Sequence, residues 1–411
     1  MVSARLAAVL GSALAAGLAL ITISACDVVL GLPDRHFDPH VACDGGGCVC
    51  APGFADCDQK PDNGCEADLT RLATCGACGH DCRNGTCVMA ACACDTGFAD
   101  CDQKPENGCE VELAKDVANC GACGHDCLGG VCEAGVCQPV VMGKFVMPQS
   151  FALSGSSLYV GVCQTPSLFQ IPVAGGTAVP AAISSACPFL MSIVGSTLYW
   201  GSDTDIYATQ LGAVTAPTKL VPNSNSVLFF AASATQIYWY SFDNTTMTQA
   251  LMRAPTAGGP AVVIAPGAQV NCIVTDAARG YWADTAGIHS VPHDDTTVTL
   301  IEPPSALSAL ALAVDASNLY IGDTSQVKRR PLAGGAAKQL ATASFVDAIT
   351  VDADHVYWAD SQNGDLSKVP IAGGSAKVLA TGQTFDMGMQ LYVDGQAVYW
   401  LADMQVRKVA K

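Results

Sequence analysis

Two acidic runs contain the side chains best suited to metal chemistry. In each run, carboxylates stand at close spacing around an Asn-Gly pair, and Ca²⁺ prefers oxygen ligands of this kind. The runs comprise Asp56, Asp58, Asp62 and Glu66, and then Asp100, Asp102, Glu106 and Glu110. Their spacing differs from that of the twelve-residue EF-hand loop, so a solvated acidic loop is the alternative. Calcium at these eight residues is the one cofactor that the sequence suggests.

The cysteines of the same region allow two kinds of chemistry. Cys75-x-x-Cys78-x-His-x-Cys82 recurs at positions 120–127 with a spacing that could ligate zinc. However, 18 of the 22 cysteines lie between positions 43 and 137, a density typical of disulfide frameworks formed in an oxidising compartment. Two successive units, 50–92 and 94–137, hold eight cysteines each. Disulfides within each unit are therefore predicted, and their connectivity stays open.

These chemical residues belong to a duplicated, loop-rich block at 43–139. Gly, Pro, Asn and Asp dominate between its cysteines, which indicates loops held by bridges. The run Asn-Gly-Cys-Glu followed by Cys-Gly-Ala-Cys-Gly resembles the cysteine-rich repeats of predicted surface lipoproteins from myxobacteria and related bacteria. That resemblance implies a location in the cell envelope.

The N-terminus supports the same location. Arg5 precedes an apolar run at 6–23, which ends in Ile23-Ser24-Ala25-Cys26. This ending resembles the lipobox of bacterial lipoproteins and implies a signal peptide at 1–25, lipidation of Cys26 and a tether at 26–42. The protein would then face the periplasm or the exterior, anchored by its acyl chains. An ordinary signal peptide with an incidental cysteine and an uncleaved membrane anchor are the alternatives.

The overall charge limits the partners. The net charge is −17, and only 14% of the residues are charged. An acidic chain repels nucleic acid phosphates and anionic lipid, so no nucleic acid partner is expected. The predicted membrane contact is the lipid anchor.

From residue 140 onward the chain repeats a strand containing tyrosine. Seven such tyrosines recur at intervals of about forty residues, and all five tryptophans directly follow one of them; the tyrosines are Tyr159, Tyr199, Tyr238, Tyr281, Tyr320, Tyr357 and Tyr399. About four short strands fit into each interval, which predicts an all-β fold, a β-propeller spanning 140–411. Seven blades are predicted, with strand 140–145 completing the last blade, and six blades are the alternative. Ala-Gly-Gly runs such as 372–374 predict two-residue hairpins between the third and fourth strands.

The strand ends carry a recognisable motif. Tyr281-Trp-Ala-Asp284, Tyr357-Trp-Ala-Asp360 and Tyr399-Trp-Leu-Ala-Asp403 resemble the YWTD repeats of low-density-lipoprotein-receptor-type propellers. The resemblance implies the propeller fold, and it implies that the Tyr and Trp side chains pack between blades. It does not indicate a function, because propellers host many.

One face of the propeller is the predicted binding surface. In an up-and-down sheet, the connections from second to third strand and from fourth to first strand share a face, here called the loop face. Loops concentrate function, and the candidate residues are Asp203, Asp243, Asp284, Asp323, Asp360 and Asp403. Cys163 and Cys187 also fall on this face and are predicted to form a disulfide, which leaves Cys272 as a buried thiol.

The sequence favours a binding module over an enzyme. Propeller hydrolases need convergent carboxylates and histidines, usually around a metal, whereas residues 140–411 contain one glutamate (Glu302) and three histidines (His289, His293 and His355). The predicted function is an anchored envelope lipoprotein whose propeller binds a protein, peptide or glycan. A metal-dependent hydrolase or lyase and a structural envelope spacer are the alternatives.

Overall fold

The structure, a computed structural model, describes residues 40–44, 47–59, 64–163, 167–183, 186–212, 216–304, 309–385 and 390–411. Cys26, Asp62 and the predicted signal peptide lie outside the described residues. The chain forms two compact units, one with the described residues up to Ala93 and Pro105–Gly108, the other with Cys94–Lys104 and Cys109–Lys411. No helix in the described ranges has the length and hydropathy needed to cross a membrane.

The cysteine-rich repeats contain little regular structure, as expected for loops held by bridges. Their elements are the strands Val41–Asp44, Gly47–Cys50, Phe54–Ala55, Ala67–Asp68, Gly85–Val88, Ala91–Cys94, Phe98–Ala99, Val111–Glu112, Cys132–Glu133 and Val136–Cys137, and the 3-10 helix Leu72–Thr74. These strands pair as two-stranded antiparallel ribbons.

Each repeat closes four disulfides in the same pattern, which pairs its first cysteine with its third, its second with its fifth, its fourth with its seventh and its sixth with its eighth. The pairs are Cys50–Cys65, Cys57–Cys78, Cys75–Cys87 and Cys82–Cys92, then Cys94–Cys109, Cys101–Cys123, Cys120–Cys132 and Cys127–Cys137. The motif considered for zinc has no free thiolate in either repeat, because all its sulfurs are oxidised. This many disulfides indicates an extracytoplasmic location.

Seven four-stranded antiparallel sheets follow, which confirms the seven-bladed propeller. The strands, from first to fourth in each blade, are Pro148–Ser154, Ser157–Val162, Ser167–Pro172 and Val179–Ile183 (blade 1); Leu190–Val194, Thr197–Gly201, Ile206–Gln210 and Thr218–Val221 (blade 2); Ser226–Ala232, Gln236–Asp243, Thr248–Pro255 and Val262–Pro266 (blade 3); Cys272–Thr275, Arg279–Asp284, Gly287–Pro292 and Thr299–Glu302 (blade 4); Ala311–Val314, Asn318–Gly322, Gln326–Pro331 and Lys338–Thr342 (blade 5); Val346–Val351, His355–Asp360, Asp365–Pro370 and Lys377–Ala380 (blade 6); Tyr392–Val393, Ala397–Ala402, Gln405–Ala410 and Val140–Lys144 (blade 7).

The last blade closes the ring with a strand from the beginning of the propeller. Val140–Lys144 pairs antiparallel with Gln405–Ala410 and takes the outer position of blade 7, as the sequence predicted. The closure joins the two ends of the propeller by backbone hydrogen bonds and leaves neither as a loose sheet edge.

The Tyr-Trp repeat forms the packing between blades. Successive side chains of a strand point to opposite faces of its sheet, so the tyrosine faces one neighbouring blade and the tryptophan the other. Tyr199 of blade 2 shares a hydrophobic cluster with Trp239 of blade 3, and Tyr357 of blade 6 shares one with Trp400 of blade 7. All seven tyrosines and five tryptophans are buried. The predicted interblade packing is confirmed.

The connection between the third and fourth strands is longer than the predicted two-residue hairpin. In blade 6 the third strand ends at Pro370 and the fourth begins at Lys377. The Gly373 amide donates to the Pro370 carbonyl at 2.9 Å, and Gly373 and Gly374 have φ of 94° and 147°. The two glycines therefore close a turn that begins at the proline, since this backbone conformation favours residues without a Cβ.

The second cysteine-rich repeat packs directly on the propeller. Cys120, Cys127, Cys132 and Cys137 belong to one buried cluster that also contains side chains of blades 6 and 7, including Trp400. Two of the disulfides of this repeat are thus part of the propeller's hydrophobic core. This contact explains why the compact unit of the propeller begins at Cys94.

Candidate functional site

Residues in or next to the first strands of blades 2 to 7 line a central channel of about 210 Å³. Its wall is mostly apolar, with side chains such as Leu190, Phe229 and Leu391. The polar side chains among the described lining residues include Asn271, Asp347 and Gln390. All three stand at the ends of the first strands nearest the loop face, so they mark the channel mouth on that side.

A β-bulge places Asp347 in the channel wall. In blade 6, Val346 is paired with Asp360 and Ala348 with Ala359, so Asp347 is the extra residue of its strand. Bulges of this kind turn a side chain away from the regular alternation of a strand. Blade 3 has the same irregularity at Leu228, whose side chain is 47% exposed.

Three of the six predicted aspartates of the loop face are buried and serve the backbone. Asp284, Asp323 and Asp360 are at most 9% exposed. Asp360, for example, accepts hydrogen bonds from the amides of Ser344 and Phe345 at 2.6 and 3.2 Å. Asp284 and Asp323 accept from amides of their own turns, from Ala286 at 2.7 Å and from Ser325 at 2.8 Å.

The other three aspartates lie nearer to solvent. Asp203 is exposed, and Asp403 is half-exposed and binds Arg407 at 2.9 Å. Asp243 accepts from the amides of Thr245 and Thr246, and these hydrogen bonds lower the pKa of its carboxyl group. The acidic surface of the loop face is therefore smaller than the sequence suggested.

Exposed apolar side chains add a second feature to the loop face. Val146, Met147 and Met404 form what is here called the seam patch, where blade 7 meets blade 1; each is at least 50% exposed. The Phe145 amide donates to the Met404 carbonyl at 3.0 Å, which brings the two loops together. Exposed apolar patches mark interaction sites, and methionine adapts readily to different partners.

The opposite face contains a set of Asp–Tyr pairs that sequence reasoning missed. In blades 4 to 7, the tyrosine hydroxyl donates to the aspartate five residues earlier. The pairs are Tyr281–Asp276 (2.7 Å), Tyr320–Asp315 (2.7 Å), Tyr357–Asp352 (2.9 Å) and Tyr399–Asp394 (2.7 Å). Burial is the main cause that raises the pKa of each tyrosine hydroxyl, and the hydrogen bond to the aspartate raises it further. The signal, an aspartate five positions before the tyrosine, is visible in the sequence.

Basic side chains of the third strands connect neighbouring blades. Each donates to a backbone carbonyl in the next blade of the ring. The contacts are Arg253 Nη1 to Pro292 O (2.7 Å), Arg329 Nη1 to Ile371 O (2.8 Å) and Lys408 Nζ to Val173 O (3.0 Å). The last contact crosses the ring closure. These cations therefore have a structural role.

The glutamate of the propeller, Glu302, belongs to an ion-pair network between blades 4 and 5. Its carboxylate lies 3.5 Å from Lys328 Nζ and 3.4 Å from Arg330 Nη1, and Lys328 also lies 3.3 Å from Asp323. Of the three histidines, His289 contacts Asp284 at 3.1 Å, and His293 contacts Tyr238 at 3.0 Å. Burial lowers the pKa of the third, His355.

The predicted calcium ligands cluster in both repeats. Asp56, Asp58 and Glu66 have carboxylate oxygens within 4.8 Å of one another, and so do Asp100, Asp102 and Glu110. Glu106 is exposed and is not in this cluster. Glu66 and Glu110 each also accept from a cysteine amide, at 2.8 and 3.0 Å. Calcium binding stays a prediction, and Lys104, which contacts Asp102 at 2.9 Å, competes with a cation there.

The remaining cysteines are placed as follows. Cys163 and Cys187 are bridged, with their Cα atoms 4.6 Å apart. Cys272 is the free cysteine among the described residues and lies in the channel wall. Burial raises the pKa of its thiol to about 12, so it stays protonated and unreactive at neutral pH.

Comparisons with known proteins agree on the fold. No protein-family model matches the sequence, and a search of curated proteins found no match. Among solved structures, a virginiamycin B lyase from Staphylococcus aureus with quinupristin is similar at 10% identity and a TM-score of 0.53, covering 67% of this chain and 98% of that chain. The WD40 domain of Neurospora crassa Pan2 is similar at 9% identity and 0.51, covering 66% and 95%. A chain of a nidogen/laminin complex is similar at 19% identity and 0.42, covering 54% and 93%. At these identities, the likenesses to the lyase and the WD40 domain show the propeller fold alone.

Proposed function

We propose that this protein is a lipid-anchored lipoprotein of the bacterial envelope whose propeller binds a protein or peptide partner through the loop face. The disulfides support an extracytoplasmic location, and the propeller fold together with them supports a binding module. The observation that carries the choice of surface is the seam patch, because three large apolar side chains stand exposed together on loops of one face. A glycan remains the second class of ligand.

The anchor is supported by the sequence 23–26 and the apolar run before it. In this proposal, acyl chains on Cys26 hold the protein on the membrane, and the cysteine-rich repeats carry the propeller. A Cys26→Ser variant is expected in the soluble fraction after cell lysis, whereas the unaltered chain sediments with membranes. Retention of the variant on membranes would rule out the lipid anchor.

The binding surface is tested by cross-linking in the envelope. A Met147→Ser/Met404→Ser double variant removes two of the three apolar side chains of the seam patch without changing buried side chains. It is expected to lose the cross-linked partner that the unaltered protein captures. Val179→Ser is the matched control, because Val179 is 51% exposed on an outer strand. Equal capture by all three proteins would exclude the seam patch as the docking surface, and the absence of any partner, peptide or glycan ligand would favour a spacer.

A further inference from the structure

The described wall of the central channel contains a single carboxylate and no cation. Among the lining residues, Asp347 is the one acidic side chain, and there is no lysine, arginine or histidine. Carboxylates that are removed from water normally stand beside a cation, a metal ion or several hydrogen-bond donors. Asp347 therefore raises the question of what compensates its charge.

Two acceptor atoms at the channel mouth have no donor. Asp347 Oδ2 and Gln390 Oε1 are both buried and without a hydrogen-bond partner among the described residues. The amide nitrogen of Gln390 donates to the Met191 carbonyl at 3.1 Å, whereas its amide oxygen accepts no hydrogen bond. Asn271 likewise donates through its amide nitrogen, to the Ala309 carbonyl at 3.2 Å.

The polar groups at the mouth thus share one chemical character. The carboxylate only accepts, and each amide uses one of its N–H groups on a backbone carbonyl. A bound group that matches this set has several N–H donors and a positive charge. Most of the surrounding lining residues have apolar side chains, among them Leu190, Phe229 and Leu310. Such a wall favours an aliphatic stem, in the way that lysine and arginine side chains bury their methylenes while the charged end is hydrogen-bonded.

We propose that the channel mouth is a binding site for a protonated nitrogen group on an aliphatic stem, supplied as a lysine or arginine side chain of the partner. The ammonium or guanidinium group donates to Asp347 and Gln390, and the stem lies along the apolar wall. The proposal rests on the proposed function, since it names the chemistry of the partner that the loop face receives.

The test uses short peptides and the full chain. The probes are N-acetylated, C-amidated pentapeptides with one central lysine, arginine or norleucine, together with n-butylamine, and binding is measured by calorimetric titration. The lysine or arginine peptide is expected to bind, and the norleucine peptide, which keeps the stem without the charge, is expected to bind at least about tenfold more weakly. If n-butylamine binds and neither the lysine nor the arginine peptide does, the site binds small amines, and the proposal that a partner side chain occupies it is overturned.

Two variants assign the binding to the channel. Asp347→Asn keeps the shape of the side chain and is expected to weaken the peptide at least about tenfold, because a charge-assisted hydrogen bond is lost. Asp354→Asn, which removes an exposed carboxylate from the opposite face, is the matched control and is expected to change little. An unchanged affinity in Asp347→Asn, or an equal loss in both variants, would overturn the proposal. If the peptides fail while Met147→Ser/Met404→Ser still loses its envelope partner, the inference fails and the proposed function stands.

Discussion

Asp352 holds together the turn of blade 6 on the opposite face and the end of the chain. One carboxylate oxygen accepts from the amides of Asp354 and His355 at 2.9 and 2.8 Å. The other accepts from the Tyr357 hydroxyl at 2.9 Å and from Lys411 Nζ at 2.5 Å. An Asp352→Asn substitution keeps the size of the side chain but places an uncharged group against Lys411, so it isolates the value of the charge.

The pKa of Asp352 gives the magnitude. Burial raises this pKa, but the hydrogen bonds from Lys411, the two amides and Tyr357 outweigh burial and lower it from 3.8 to about 2. This lowering of the pKa corresponds to about 2 kcal/mol of folding free energy at neutral pH. Because the folded-state pKa is the lower one, this stability is present above about pH 4 and is lost as the pH falls toward 2.

The assay is urea unfolding followed by tryptophan fluorescence, since all five tryptophans lie in the propeller. The free energy of unfolding of Asp352→Asn is expected to be about 2 kcal/mol below that of the unaltered protein at pH 7, and about 1 kcal/mol below it at pH 3. Asp354→Asn, an exposed neighbour, is the matched control and is expected to change the value by less than about 0.5 kcal/mol. A deficit that is independent of pH, or that is the same in both variants, would refute the electrostatic reasoning.

Three further predictions follow from other parts of the structure. Glu302→Gln is expected to lower the free energy of unfolding of the propeller by about 2 kcal/mol, because Arg330 loses its carboxylate and Lys328 keeps only Asp323. Glu112→Gln, at an exposed pair, should change this value by less than about 0.5 kcal/mol in the same assay. Calcium is expected to raise the thermal unfolding midpoint of the cysteine-rich repeats, and the Asp100→Asn variant is expected to show a smaller rise. If EDTA leaves the midpoint of the calcium-containing sample unchanged, the predicted calcium site is refuted. Reduction of Cys127–Cys137 is expected to lower the tryptophan-detected unfolding midpoint, because this bridge is in the core of blades 6 and 7; an unchanged midpoint after verified reduction would contradict that role.

The repeats of the sequence were enough to predict the propeller and its blade number. The tyrosine spacing is set by the length of one blade, and the alternation of Tyr and Trp follows from the two faces of a strand. Strand 140–145 could be assigned to the last blade because it precedes the first repeat and belongs to none of the seven, and the structure pairs it with Gln405–Ala410. The density of cysteines likewise predicted disulfides, since an even number in each repeat allows them to close locally.

The site depended on contacts that local sequence does not specify. Asp284, Asp323 and Asp360 look equivalent to exposed aspartates in the sequence, but loops from neighbouring strands bury them. The disulfide pairing required the path of each loop in space.

Local sequence also does not specify the contacts of the polar groups at the channel mouth. Gln390 meets the Met191 carbonyl across the ring, and a bulge turns Asp347 into the channel. The sequence by itself therefore determined the repeated blade, because period and side-chain alternation are local properties. Only the tertiary structure decided which polar groups are buried without a donor, because that depends on residues up to about 200 positions apart meeting when the ring closes.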